Sequence, residues 1–214
     1  DGMLAAGFDP SRIIITGHPA FDSLTLCRSA FTSANRKEFR DELGVRPEEL
    51  LVLFASQWIT YLQPKDPFYP GFCRESILLA LINALDEIAE QKHCEIALVI
   101  RPHPREMDES FEFHSRAIRV LVSRTGETRD LALASDLVTG ISSVFLVESC
   151  YLGCLTVSLQ PGLRLPDALP TNHLGFSRPV YREEEIKSVL EDLLFDKEVV
   201  LLNHARLASL QMDG

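Results

Sequence analysis

No stretch of eighteen consecutive apolar residues occurs in the 214-residue chain, which leaves it without a candidate transmembrane helix. The first strongly apolar stretch, IIIT, is too short for the core of a signal peptide. There is no block or stripe of Lys and Arg, and the formal charge is −10, so nucleic acid is not an expected partner. No CxxC pair occurs; five cysteines, with Cys150 and Cys154 separated by three residues, read as free thiols of a reducing cytoplasm. The phosphate-binding signatures GxGxxG and GxxxxGK[ST] are absent, as are GxSxG and HExxH. No DxD occurs, so a metal–diphosphate chelate of that kind has no anchor and no metal is implied. Internal repeats and low-complexity tracts are also absent.

What is present is an alternation of two periodicities. The runs LLVLFAS (50–56), EIALVIRPHP (95–104), IRVLVS (118–123), DLVTG (136–140) and LTVSL (155–159) are apolar throughout, the pattern of strands buried on both faces. RIIIT (12–16) and RPVY (178–181) read as shorter strands. Helical patterns intervene: SANRKEFRDELG, with Ser33 as N-cap and Gly44 as stop; RESILLALINALDEIAEQ (74–91); a polar helix around 107–117; TRDLALAS; and an apolar helix after Ser142-Ser143. EEEIKSVLEDLLF, opened by the solvated acidic run Glu183-Glu184-Glu185, and a last helix near 197–210 close the chain. Strand–helix alternation of this kind predicts an α/β fold: a Rossmann-like three-layer α/β/α sandwich around a doubly wound, mostly parallel sheet. With 46% hydrophobic residues, one domain with a sizeable core fits.

Ligands of such sheets bind at the carboxyl ends of the strands. The residues there are Ser56 and Gln57, Arg101 and His103 between Pro102 and Pro104, Ser123-Arg124-Thr125, and Ser142-Ser143. A serine capping the helix after residue 140 adds hydroxyls to an end already rich in unpaired N–H groups and partial positive charge, an arrangement that attracts phosphate. A plain N-cap explains the serines equally well. Arg101 offers paired donors for a phosphate, and His103 offers one N–H, against a surface arginine and a histidine serving its own turn. Glu148 lies six residues past Ser142, a rise of roughly 9 Å along a helix. A carboxylate at that distance from a phosphate matches the place of a ribose diol, against a glutamate merely paired or solvated on the helix edge. The Pro-rich loops QWITYLQPKDPFYPGF and QPGLRLPDALPTNHLG are long enough to be functional.

On these residues the chain, from about 12 to 196, resembles the C-terminal, nucleotide-sugar donor-binding half of a GT-B glycosyltransferase and the UDP-GlcNAc 2-epimerase-like superfamily. ITGHPAFD resembles the strand and VTGNP-like turn that lead from the first domain into the second; ASQ (55–57) stands where a Gly-Ser-Gln-type loop is usual; SDLVTGISSVFLVESCYLG matches the Ser/Gly-capped helix bearing the ribose glutamate. His103-Pro104 with Ser142-Ser143 is similar to the HP and SS motifs of bacterial sialyltransferases and of capsule and teichoic-acid transferases, which use cytidine-activated donors. The turn ITGHPAFD is more like the epimerases, but their Ser-Gly-Gly helix start is replaced here by Ile141-Ser142-Ser143.

The resemblance implies a UDP- or CMP/CDP-linked sugar held by Arg101, His103, Ser142, Ser143, Glu148, Ser56 and Gln57, with Ser123, Arg124 and Thr125 near the base and Asp167, Thr171 and Asn172 near the sugar. It implies no cofactor and no metal. It divides the chain into a linker (1–32) from an N-terminal domain, a Rossmann-like domain (33–196) and a C-terminal helix (197–214). That further domain would supply the acceptor site, the catalytic base and any peripheral membrane contact, so these residues alone would bind donor and transfer little. A sugar 2-epimerase and a non-catalytic binding module of the same fold are the alternatives.

Overall fold

The computed structural model describes residues 2–14, 19–59 and 64–210. A short helix α1 (Gly2–Ala5) precedes α2 (Pro19–Ala30) and α3 (Ser33–Glu42). Then β1 (Leu50–Ala55), α4 (Arg74–Lys92), β2 (Ile96–Arg101), β3 (Arg119–Val122), α5 (Thr128–Ala134), β4 (Leu137–Gly140), α6 (Val144–Tyr151), β5 (Thr156–Leu159), α7 (Pro170–His173), β6 (Arg178–Val180), α8 (Ile186–Phe195) and α9 (Lys197–Ser209) follow. The six strands form one sheet in the order β3-β2-β1-β4-β5-β6, and every neighbouring pair is parallel. The order reverses between β1 and β4, which makes that junction the topological switch point.

The unbroken apolar runs have a direct cause. Leu51 and Leu53 point to one face, where they pack with Leu24 of α2, Leu131 and Ala132 of α5 and Leu146 of α6. Val52 and Phe54 point to the other, against Ile77, Leu81 and Leu85 of α4, Leu190 of α8 and Leu207 of α9. Alternate residues of one strand thus enter two separate cores, and neither set is left to water. Truncating a fully buried leucine such as Leu85 to alanine costs about 2–5 kcal/mol in such a setting. Gly140 ends β4 because a Cβ there would lie 3.1 Å from the Ala55 carbonyl oxygen and 3.1 Å from the Leu146 side chain. A side chain there would require α6 or β1 to shift by a few tenths of an ångström.

Three expected elements are corrected. Residues 12–14 of the expected strand RIIIT are not extended in the sheet; Arg12 ends a 310 turn (Pro10–Arg12) capped by the Asp9 carboxylate, Ile14 is exposed, and Ile15 and Thr16 lie outside the described residues. The helix expected to start from Ser33 starts one residue earlier in its cap: Thr32 Oγ1 accepts from Asn35 N (3.2 Å) while Asn35 Oδ1 accepts from Thr32 N (3.0 Å). Gly44 ends it as expected, at φ +68°, with Val45 N–H reaching back to the Arg40 carbonyl.

The polar helix expected around 107–117 does not form. Its backbone is held by side chains instead. Asp86, buried within α4, accepts from the N–H groups of Arg116, Ala117 and Ile118 and from the Ser115 hydroxyl. Arg124 donates to the carbonyls of Met107 and Glu109. Groups that a helix would have paired internally are thereby already satisfied.

Candidate functional site

A cleft of about 520 Å3 opens at the carboxyl ends of β1 and β2, beside the start of α6. Ser56, Arg101, Pro102, His103, Pro104, Glu127, Arg129, Ser143 and Glu148 all line it. The switch point therefore brings together residues separated by up to 92 positions, with Ser56 at one end of that interval and Glu148 at the other. A slightly larger depression beside α3, of about 550 Å3, lacks this convergence and is lined mainly by Phe31, Phe39 and acidic side chains.

Two hydroxyls set this cleft apart. Ser56 is 6% exposed, and its Oγ has no hydrogen-bond partner; the buried Oγ of Ser143 has none either. Leaving a buried hydroxyl unpaired costs about 1–3 kcal/mol. Ser143 occupies the N-cap position of α6, but its side chain makes no capping bond, which corrects the expectation that one of the two serines caps the helix. Ser142, one residue ahead of that N-cap, is held from the loop after β1: Gln57 Oε1 accepts from Ser142 N (3.0 Å) and Ser142 Oγ (3.4 Å). Gln57 and Ser142 thus bond to each other and are absent from the cleft lining. The Ser143 hydroxyl is left to face whatever enters.

The RPHP corner is rigid for identifiable reasons. His103 Nδ1 accepts from Arg105 N (3.2 Å), which leaves the proton of the neutral ring on Nε2 as a donor. The His103 amide donates to Glu106, a fully buried carboxylate that also accepts from Arg74. Arg101 Nη1 donates to the carbonyls of Ser123 (3.2 Å) and Thr125 (2.7 Å), and Nη2 to Gly126 (2.8 Å). Desolvation pushes its pKa down, and nearby Glu127 works against that. Both terminal nitrogens of Arg101 are thus committed to holding the turn after β3.

Other expected site residues lie apart from the cleft. Ser123 and Thr125 serve as carbonyl acceptors for Arg101, and Arg124 ties down the segment after the RPHP corner; Glu127 and Thr128 take the cleft wall nearest to them. Asp167 accepts from Leu169 N, Asn172 Nδ2 and Tyr181 Oη, while Ser177 Oγ donates to Asn172 Oδ1 and pairs with the Thr171 hydroxyl. Burial opposes ionisation of Asp167, but these donors outweigh it and hold its pKa below the usual carboxylate value. The three residues form a closed network in the loop after β5, and none of them lines the cleft.

Residues 4–146 match the CDP-glycerol:poly(glycerophosphate) glycerophosphotransferase family, two thirds of the sequence. The chain belongs to that family. No curated protein gives a significant match. Among solved structures, a protein described as a UDP-N-acetylglucosamine 2-epimerase of Listeria monocytogenes aligns with a TM-score of 0.58 at 20% identity, covering 96% of this chain and 50% of that one. The wall teichoic acid polymerase TagF aligns at 0.57 and 13%, covering 94% and 48%. UDP-GlcNAc 2-epimerase of Neisseria meningitidis, bound to UDP-GlcNAc, aligns at 0.56 and 11%, covering 94% and 52%. The chain spans about half the length of these structures. At such identities they establish the fold, and that fold is the GT-B half that the motifs resemble.

One charged residue of the cleft wall, Arg129, was not foreseen from the sequence. Arg129 Nε donates to Glu148 Oε2 at 3.5 Å, and Arg129 Nη1 to Ser23 Oγ at 3.3 Å. Sequence reasoning missed it because its partner lies 19 positions away on another helix, and TRDLALAS reads simply as a helix start. The Arg74–Glu106 pair under the corner was missed for the same reason. One local signal existed there: a carboxylate three residues after a potential N-cap, His103.

Proposed function

We propose that this chain is the donor-binding unit of a transferase that builds a surface polymer from a cytidine-activated alcohol or sugar. The observation that carries the reading is the pair of unpartnered buried hydroxyls, Ser56 and Ser143, in a switch-point cleft shared with His103 and Glu148. The family match supports a CDP-linked donor, and TagF has been solved after soaking with CDPG. In this reading a phosphate sits at the amino end of α6. Ser143, Ser56 and His103 Nε2 donate to it, and Glu148 accepts from the ribose hydroxyls.

When the donor's bond to phosphate breaks, the leaving nucleotide gains negative charge. Fixed protein donors already aimed at that charge stabilise it without reorganisation, and the proposal makes them, with no metal or cofactor, the source of stabilisation. The acceptor site and the catalytic base belong to a further domain, so transfer requires more than the 214 residues. No helix among the described residues is long and apolar enough to cross a membrane, and contact with a membrane-bound acceptor would run through that other domain.

A thermal-shift screen of CMP, CDP, UMP, UDP and GDP tests the reading. Ligand at a hundred times its dissociation constant adds about 2.7 kcal/mol of stability, well within detection. Cytidine nucleotides should stabilise the chain most; preference for uridine nucleotides would favour the epimerase alternative, and no shift with any nucleotide at millimolar concentration would reduce the chain to a binding module of another kind. Glu148→Ala should weaken cytidine nucleotide binding about 10-fold or more, the worth of a charged hydrogen bond, with an unchanged melting profile in the absence of ligand.

A further inference from the structure

The cleft contains two cations of different standing. Arg101 spends Nη1 and Nη2 on three backbone carbonyls at 2.7–3.2 Å, and withdrawing it would release the turn after β3. Among the described residues, the hydrogen bonds of Arg129 go to side chains, at 3.5 Å to Glu148 and 3.3 Å to Ser23, both at the long limit. Its partner Glu148 is the carboxylate that the donor-site reading needs free for a diol. With Glu127 as the fourth charged group on the lining, the empty cleft holds two arginines against two glutamates. An incoming phosphate upsets that balance, and of the two arginines only Arg129 can respond without dismantling backbone structure.

We propose that Arg129 exchanges partners on ligand binding: it rests on Glu148 in the empty cleft, moves to the phosphate of a nucleotide, and thereby frees Glu148 to accept from the ribose. The inference rests on the donor-site reading and adds a coupling to it. The phosphate and the ribose are then recognised together, because engaging the first releases the acceptor for the second. A phosphate-free nucleoside, having nothing to draw Arg129 away, must compete with it for Glu148. The cleft thereby discriminates against nucleosides through the cost of breaking its own ion pair, a repulsive device as well as an attractive one.

The test compares dissociation constants of CMP and cytidine, and of UMP and uridine, by calorimetry on the full chain and on Arg129→Gln. In the unmodified chain the nucleotide binds much more tightly than its nucleoside. In Arg129→Gln, CMP weakens by about 10-fold or more, as expected for a lost charge-assisted bond, while cytidine binds as well as before or better because Glu148 is released. A purely structural arginine would weaken both ligands together. Arg129→Lys should recover part of the CMP affinity, since it keeps the charge without the planar fork. If the glutamine variant does not fold, the Arg129 Nε–H resonance of the unmodified chain decides: it shifts with CMP and stays in place with cytidine. An unchanged CMP-to-cytidine ratio in Arg129→Gln, or a resonance indifferent to CMP, overturns the exchange while leaving the donor site standing. Failure of the unmodified chain to bind any nucleotide overturns the donor site itself, and the exchange with it.

Discussion

The two ends of the one sheet are built to opposite rules. At the amino ends of the strands, charges are numerous and mostly engaged, the buried Nη1 of Arg28 beside Gly153 being an exception. Asp136, just before β4, accepts from Arg36 and Arg40 and from the Leu51 amide; Arg40 also bonds the carbonyls of Ala134 and Glu49. Glu49, just before β1, accepts from Arg46 and from Arg119 at the start of β3. At the carboxyl ends several polar groups are unsatisfied or loosely held: Ser56 and Ser143 have orphaned hydroxyls, and Arg129 reaches its acceptors only at 3.3–3.5 Å. One end spends its polar groups on tying helices and strands together. The other has bonded networks of its own but leaves a few cleft groups uncommitted, which costs stability and is what a binding surface requires.

The largest expected effect breaks the tied end. Asp136→Ala strips the buried Arg40 guanidinium of its counter-charge and leaves the Leu51 amide without its side-chain acceptor. Removing one partner of such a pair costs about 3–5 kcal/mol. A urea melt should show that loss as a lower midpoint. The fraction that remains folded should bind nucleotide with unchanged affinity, because the network lies across the sheet from the cleft. An affinity loss as large as the stability loss would erase the distinction between the ends.

A smaller effect comes from acid. Burial opposes ionisation of Asp86 and Glu49, yet both have pKa values held below the ordinary carboxylate range. The donors are the Arg116, Ala117 and Ile118 amides with the Ser115 hydroxyl for Asp86, and Arg46 with Arg119 for Glu49. A carboxylate with a depressed folded pKa adds stability that is present above its unfolded pKa, 3.8 for the aspartate and 4.5 for the glutamate, and is lost as pH falls through the folded value. Unfolding free energy should therefore be flat from neutrality down to about pH 5 and then decline. Asp86→Asn and Glu49→Gln should each shallow that decline and lower the neutral plateau. If neither changes the slope, the acid sensitivity originates elsewhere, and Asp167 at the opposite end becomes its source.

The same contrast explains what could be read from the sequence. The strands announced themselves because their apolar runs feed two cores at once, a property of consecutive residues. That Ser56, Arg101, His103 and Ser143 share one cleft was legible from position, since a parallel sheet delivers its strand ends to one rim whatever the side chains, and Glu148 followed from its rise along α6. Bonds that span the fold left no local trace. Gln57 reaches Ser142 across 85 positions and holds the turn ahead of α6, where local rules favoured a serine cap. Asp86 takes three successive amides from a segment whose polarity suggested a helix. RIIIT has the composition of a strand, but among the described residues, 12–14 pair with no strand, and β-propensity without a partner does not make a sheet.

The smallest effect sharpens the comparison inside the carboxyl end itself. Ser56 and Ser158 are both buried serines near strand ends, but Ser158 Oγ donates to the Ile141 carbonyl and accepts from Gln160 Nε2, whereas Ser56 Oγ has no partner. Ser158→Ala should cost about 1–3 kcal/mol, because it leaves the Ile141 oxygen and the Gln160 amide unpaired. Ser56→Ala removes a hydroxyl whose desolvation is already uncompensated, so stability in the absence of ligand should stay level or rise by about 1 kcal/mol. Its cost should appear only with ligand, as a loss of about 0.5–1.5 kcal/mol in nucleotide binding, the net value of one hydrogen bond. Matched urea melts and calorimetry on the two variants separate the cases. If Ser56→Ala destabilises the free chain as much as Ser158→Ala does, its hydroxyl already has a partner in solution, and the strongest sign that the cleft awaits a ligand is gone.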